Sequence, residues 1–289
     1  MSADISTIHR DYVFSKDDIS LGIHCSKKHP DYPRHKHEFS ELVIVKSGNG
    51  ENVVNGVAYP LAAGDVFVIA PNQAHAYRHM HNCYCYNIYF DASHLDLKRW
   101  DTGILSGYHA LFIFQPTYQS RNFNSRLRLS QKQLIRTLGV VELIDQELQD
   151  TEPGYRLMAF ARFMELVCLL SRYYTTTTNE DSQKVLRVSQ AMNYMEEHFS
   201  ENLTIEELAA MAHMSRRNFH RVFSSAVGEA PSSYLIGLRV MKAEKMLQST
   251  DKNITEIAFD CGFSDSNYFS RQFRKIMKET PSAFRKRIA

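Results

Sequence analysis

Residues 215–234 read SRRNFHRVFSSAVGEAPSSY and residues 265–284 read DSNYFSRQFRKIMKETPSAF. Laid over one another fifty positions apart, Phe219, Phe223, Pro231 and Tyr234 are echoed by Phe269, Phe273, Pro281 and Phe284. Upstream, Leu208-Ala209 is echoed by Ile257-Ala258 at an offset of forty-nine, so the second copy carries one extra residue between its two stretches. A repeated unit of two short helices joined by a turn points to duplicated helix-turn-helix modules. Two such modules on one body can read two successive turns of DNA.

The surrounding residues support helices. Thr204 with Glu207 has the spacing of a capping box. Ser215 can cap the next helix, whose inward stripe is Phe219, Val222 and Phe223. Arg216, Arg217, Asn218, His220 and Arg221 then point outward. A linking helix runs from Tyr234 to about Leu247. In the second copy Ile254–Asp260 leads to Gly262, which permits a tight turn. Ser264, Asp265 and Ser266 offer capping oxygens, and Asn267, Ser270, Arg271 and Arg274 face outward around Phe269 and Phe273. Arginine forks suit guanine edges and phosphates, Asp265 can accept from a cytosine amine, and Asn267 can pair with adenine. A solvated helix face is the plain alternative for either helix alone, and the repetition weighs against it.

The whole chain has 289 residues, enough for two domains, and its 44% hydrophobic and 23% charged residues are those of a soluble globular protein. The net charge of +2 conceals an asymmetry. Residues 185–289 hold 15 Lys/Arg against 12 Asp/Glu, whereas residues 1–184 hold 19 against 20. No apolar run approaches the length needed to cross a bilayer, and Met1 to Asp18 lacks the pattern of a secretion signal. The five cysteines lack metal-type spacing, and Cys83 and Cys85, two apart on an expected strand, read as buried free thiols, so a cytoplasmic chain is expected.

Residues 40–90 read as short strands. Glu41–Lys46 precedes a turn at Ser47–Gly50, a second turn falls at Asn55-Gly56, and Tyr59–Leu61, Val66–Ile69 and Tyr84–Phe90 complete the series. That pattern suggests a small barrel or jelly roll. From about Ser130 the period becomes helical, with Leu134, Leu138, Val141 and Leu148 on one stripe and a second helix from Tyr155 to Tyr173. The stripe is a candidate dimer surface, or it packs against the barrel. The polar run Thr175–Ser182 is the candidate linker. The expected organisation is α+β: an N-terminal barrel with helices over 1–174, a linker over 175–184, and an all-α domain over 185–289.

His35, His37 and Glu41 form H-x-H-x3-E, and on an unbroken strand all three point inward. With Gly48, Gly64-Asp65, Pro71 and His75 this resembles the two-part cupin signature. The resemblance implies a cupin-like β-barrel with His35, His37, Glu41 and His75 inside it. Gln73 and His79 depart from the metal-binding form, which usually has glycine and asparagine there. Three readings stand open: a pocket for a polyhydroxy effector, a metal site, or structural histidines.

Leu208-Ala209, Ser215, Phe219, Arg221, Phe223, Gly228, Pro231, Tyr234, Arg239 and Ala243 resemble the first half of the AraC/XylS DNA-binding domain. Ile257-Ala258, Gly262-Phe263, Asp265, Asn267-Tyr268-Phe269, Arg271, Phe273, Pro281 and Phe284-Arg285 resemble its second half. Lys278 departs, standing where that half often has glycine. The resemblance implies recognition helices in adjacent major grooves, about 34 Å apart. The related rhamnose regulators use two arginines, an aspartate and an asparagine on bases, which match Arg217, Arg221, Asp265 and Asn267. Glu256 matches a position associated with the sigma subunit of RNA polymerase. The stretch Glu41–Gly50 with Asn87-Ile88-Tyr89 is similar to the L-rhamnose-responsive members.

The expected function is a sequence-specific transcription regulator, an activator controlled by a small molecule, a sugar first. It acts as a homodimer on double-stranded promoter DNA, with no cofactor and no membrane. Its DNA-binding residues are Arg216, Arg217, His220, Arg221, Asp265, Asn267, Ser270 and Arg271, and its effector residues are His35, His37, Glu41 and His75. Two alternatives remain: a metal-dependent cupin enzyme carrying a DNA-binding tail, and a constitutive DNA-binding protein.

Overall fold

The computed structural model describes residues 5–14, 19–54, 56–95, 102, 105–113, 126–176 and 180–288, with backbone alone at 180–182 and 288. The chain divides into two units, residues 1–186 and 187–289. Of the expected linker, residues 177–179 lie outside the described residues. From Glu180 the chain is already helical, in a helix that runs to Glu197.

The first unit is built on β1 (Ser6–Ile8), β2 (Leu21–Ser26), β3 (Tyr32–His37), β4 (Ser40–Val54), β5 (Val57–Ala62), β6 (Asp65–Ile69), β7 (His75–Phe90) and β8 (Arg126–Arg128). These form one eight-stranded sheet of order β1-β3-β7-β4-β6-β8, with β2 added on β7 and β5 on β4. Among the described residues no ladder joins the two ends, so the hydrogen bonding does not close into a barrel.

The sheet nevertheless curls. Along the antiparallel β4–β7 ladder, Glu41 pairs with Tyr89 and His75 pairs with Val54. A flat ladder would hold Glu41 and His75 roughly 45 Å apart at about 3.3 Å per residue. Their side chains instead lie 3.3 Å apart. The two long strands fold back, so β3 and β5 with one half of β4 and β7 face β2 and β6 with the other half. Val43, Val45, Phe67, Ile69, Cys83 and Cys85 from one half pack with Val54, Leu61 and Tyr77 from the other.

The bend is written in the stretch read from sequence as a turn. Ser47–Gly50 lies inside β4, where the register with β7 slips between Val45 and Ser47, Ser47 and Asn49, and Asn49 and Glu51. Each slip is a bulge that bends the strand without ending it. Gly48 has φ 81°, and a Cβ there would meet the Asn82 carbonyl at 2.3 Å. The glycine permits close approach at the fold. Of the Asn55-Gly56 turn, Asn55 lies outside the described residues.

The opposite face of the sheet is covered as well. Leu42, Ile44, Val66 and Ile88 are fully buried, which explains an unbroken apolar run in place of alternation. After a short helix α1 (Ser106–Tyr108), α2 (Gln131–Asp150) and α3 (Tyr155–Thr175) pack on one another, and Phe163 meets Phe90 of the sheet at 5.1 Å. A capping box of Ser130 and Gln133 starts α2, and Gly154, at φ 95°, precedes α3. Val141 is fully buried and Leu134, Leu138 and Leu148 half-buried, so this stripe packs inward. The outer face of α2 shows Ile135 and Leu143 instead.

The second unit is helical: α4 (Glu180–Glu197), α5 (Ile205–Met211), α6 (Arg216–Val227), α7 (Pro231–Ser249), α8 (Ile254–Asp260), α9 (Ser266–Met277) and α10 (Pro281–Ile288). Phe219 and Phe223 are fully buried in the first copy, Phe269 and Phe273 in the second. Burying each such ring contributes roughly 1.5–3 kcal/mol, so the inward residues alone specify the repeat. Among the described residues no helix is long and apolar enough to cross a membrane.

Candidate functional site

The exposed faces of α6 and α9 carry the first candidate site. Both pairs, α5–α6 and α8–α9, make the same turn. Met214 N–H donates to the Ala209 carbonyl at 2.9 Å and Phe263 N–H to the Ala258 carbonyl at 3.0 Å. The added residue of the second copy is therefore Ser264, just beyond the shared turn. It changes the cap. Ser215 Oγ accepts from the Asn218 N–H at 3.3 Å, whereas Asp265 Oδ1 accepts from the Asn267 N–H at 2.7 Å.

On α6, Arg216, Arg217, His220 and Arg221 are exposed and line a shallow surface concavity. Arg216 Nη1 pairs with Glu206 Oε1 at 2.7 Å, an exposed contact that salt weakens. Arg221 Nη2 donates to Asn218 Oδ1 at 2.9 Å. Arg217 and His220 make no hydrogen bond or ion pair among the described residues. On α9, Asp265, Asn267 and Arg271 are exposed, and the Arg271 guanidinium lies 5.8 Å from the Tyr268 ring centre. Ser270 is different: half-buried, it donates its hydroxyl to the Ser266 carbonyl at 2.9 Å. Arg271, Arg274, Lys275 and Lys278 line a second basic concavity. The two lysines were missed in the sequence, although Lys275 lies one turn beyond Arg271. Glu256 is exposed at the start of α8, and its Oε2 accepts from the Asn253 N–H at 2.8 Å as part of a capping box.

The second candidate site lies inside the β-rich unit. The chain breaks strand at Glu38-Phe39, so His35, His37 and Glu41 do not share one unbroken strand. Glu41 stands on β4 and reaches back toward His37 on β3 and His75 on β7. His37 Nε2 and His75 Nε2 are each 3.3 Å from Glu41 Oε2, and all three residues are buried. The His75 contact lacks hydrogen-bond alignment, and His75 Nε2 has no hydrogen-bond partner. His35 stays outside this trio, its ring centre 4.1 Å from that of His75.

Backbone carbonyls settle which ring nitrogens carry hydrogen. His37 Nδ1 faces the Phe39 carbonyl at 2.5 Å, His75 Nδ1 the Gln73 carbonyl at 3.3 Å, and His35 Nδ1 the Pro33 carbonyl at 3.0 Å. A carbonyl oxygen only accepts, so each Nδ1 donates. In neutral rings each Nε2 then presents a lone pair. Asn87 Nδ2 donates to Glu41 Oε1 at 2.7 Å. Burial raises the Glu41 carboxyl, and imidazolium forms of His37 and His75, donating from Nε2, would outweigh it and hold the carboxyl well below the usual carboxylate range. Burial, with the neighbouring His75, pushes His35 down to about 4. The donor set of His37, Glu41 and His75 fits a divalent metal of the kind the cupin signature implies; His35 does not join it.

Further polar atoms in this interior lack partners. Both side-chain amide atoms of Asn52, the Tyr77 hydroxyl and Asn87 Oδ1 are buried and make no hydrogen bond. Asn52 and Tyr77 are direct partners across β4 and β7. Sequence reading missed them because a polar residue on a strand ordinarily points to solvent, and the bulges that turn Asn52 inward leave no pattern beyond the glycines. Asp65, part of the cupin-like signature, is structural: it is fully buried and bound to Arg128 Nε at 2.7 Å and to the Ala62 N–H at 2.7 Å.

Residues 20–167 match the family described as the AraC-like ligand binding domain, and residues 208–287 match a helix-turn-helix domain. The chain is 32% identical over 254 residues to the HTH-type transcriptional activator RhaS of Klebsiella pneumoniae (strain 342), covering 88% of this chain and 87% of that one. It is 28% identical to RhaS of Escherichia coli O1:K1 / APEC, covering 97% of each. Among solved structures, the DNA-binding domain of AdpA in complex with a target DNA is 36% identical, covering 35% of this chain and 91% of that chain with a TM-score of 0.34.

Proposed function

The chain belongs to the AraC/XylS family of DNA-binding transcription regulators with an N-terminal ligand-binding domain, and on that premise we propose that it is a sugar-responsive activator. The observation that carries the effector half is the set of unpartnered polar atoms in the interior: Asn52, His75, Tyr77 and Asn87. Each unmet group costs about 1–3 kcal/mol. A neutral ligand bearing several hydroxyls both donates and accepts, which is what this mixed set requires. His35, His37, Glu41 and His75 complete the effector site.

Output lies on α6 and α9. Arg217 and Arg221 read bases from the first helix and Asp265 and Asn267 from the second. Arg216, His220, Ser270 and Arg271 flank them, with Arg274, Lys275 and Lys278 meeting phosphates. Ser270 acts through its position, since its hydroxyl is engaged within the helix. Glu256 touches the sigma subunit of RNA polymerase with the carboxylate oxygen its cap leaves free. The protein acts in the cytoplasm as a homodimer. Any pairing through α2 uses Ile135 and Leu143, 66% and 41% exposed, since the stripe expected there is turned inward.

A panel of neutral monosaccharides tests this reading through melting temperature and affinity for a DNA site selected from random sequence. The expected result is one sugar that raises the melting temperature, since a ligand held only by the folded state stabilises it by about 2.7 kcal/mol at a hundred times its Kd. The same sugar shifts DNA affinity. DNA binding that no sugar alters would leave a constitutive DNA-binding protein.

A further inference from the structure

We infer that His37, Glu41 and His75 form a three-ligand site for a divalent transition-metal ion, and that the ion presents the effector with its open coordination positions. The second clause rests on the effector reading above; the first does not.

Three observations converge. The first is a charge without a counter-charge. Glu41 is buried, and among the described residues no lysine or arginine pairs with it; its ionic partners are His37 and His75 alone. A buried carboxylate is stable only when paired with a cation or a metal.

The second is the direction of the lone pairs. Because His37 and His75 give their Nδ1 hydrogens to backbone carbonyls, their neutral rings bring two acceptor nitrogens against an acceptor oxygen. Two acceptors facing a third repel unless a positive centre stands between them. Protonating His37 alone would pair it with Glu41 and leave the His75 nitrogen unmet, and protonating both rings would set two imidazolium ions beside one carboxylate. One ion satisfies all three at once.

The third is distance. Metal–ligand bonds of about 2.1 Å at tetrahedral angles set ligand atoms about 3.4 Å apart. Both imidazole–carboxylate separations are 3.3 Å, close to that value; the two imidazole nitrogens lie within 4.8 Å of each other and are the pair that an ion would draw together. The far sides are held too, Glu41 Oε1 by Asn87 Nδ2 at 2.7 Å and each imidazole by its carbonyl. Such outer contacts fix ligand orientation in metal sites. Two imidazoles and one carboxylate suit Fe(II), Mn, Ni or Zn, and leave positions that a ligand's hydroxyls can take.

The full chain, purified without chelator, is expected to carry about one metal ion per chain by elemental analysis. His75→Ala and Glu41→Gln should each lose it, and His79→Ala, a surface histidine outside the trio, should keep it. Because the buried substitutions can disturb folding, the wild-type chain provides the second measurement. Stripped with chelator, it should regain several degrees of melting temperature on addition of zinc, manganese, nickel or ferrous ion alone, with magnesium inert. A wild-type chain that is metal-free as purified and whose melting temperature none of these ions moves overturns the site. Sugar binding that survives in such a protein would leave the effector reading standing. Metal binding with no sugar response would remove the effector clause and keep the ion.

Discussion

The two helix-turn-helix modules have the same frame and place their glycines differently. Each needs the left-handed region twice, at the turn and after the second helix. The first copy has His213 at the turn with φ 51° and Gly228 at the cap with φ 87°. The second has Gly262 at the turn with φ 80° and Lys278 at the cap with φ 65°. The difference has a local cause. A Cβ on Gly262 would meet the Phe199 carbonyl at 2.7 Å and the Ser200 carbonyl at 2.9 Å, whereas one on Gly228 meets nothing within 4 Å. Space dictates one glycine and φ alone the other. Lys278 also lines the basic concavity of α9, so the second copy accepts a strained cap and gains a cation.

The comparison breaks most decisively at the glycines. Gly262→Ala is expected to destabilise the helical unit by about 2–4 kcal/mol, combining backbone strain with a clash. Gly228→Ala should cost about 1 kcal/mol, being strained but unobstructed. Denaturant unfolding followed by helical signal measures both, and equal losses would remove the steric distinction.

The next effect tests the unequal readers. Arg217→Ala and Asn267→Ala should each weaken binding to the selected DNA site by about 1–3 kcal/mol. Asn267→Ala should also relax preference at one base pair, whereas Arg274→Ala should weaken all sequences alike and lower the salt dependence. Uniform loss from both Asn267→Ala and Arg274→Ala would make α9 a phosphate clamp and no reader. The smallest effect is Lys278→Gly, expected to stabilise the helical unit by about 0.5 kcal/mol by relieving the left-handed cap. A loss of stability there would show that the lysine side chain does more for the fold than its backbone costs.

The helical unit was legible in the sequence because its cores are local and repeated. Phe219 and Phe223 find their partners within a few turns of chain, and the fifty-residue offset marks each one twice. The β-rich unit was legible only in its pieces. Gly48 and Gly50 read as a turn because glycine usually ends a strand; here they let β4 bend and continue. The same misreading hid Asn52, and the mostly polar residues 79–82 cut β7 short at Tyr84, although the strand begins at His75. His37, Glu41 and His75 were found as a motif, but the reason they meet, a ladder folded back on itself, depends on pairings that no local pattern records.

That fold-back has a kinetic consequence. Glu41 and His75 are 34 positions apart in the chain, and β4, β5, β6 and the start of β7 all lie between or upon them. Whatever ties these two side chains together closes a loop spanning most of the sheet, and closure of such a loop is an entropic step that the folding chain must take before its long-range contacts form. An occupant of the proposed site would act as a clasp. It would leave the shape of the sheet as it is and slow the separation of its two halves on unfolding.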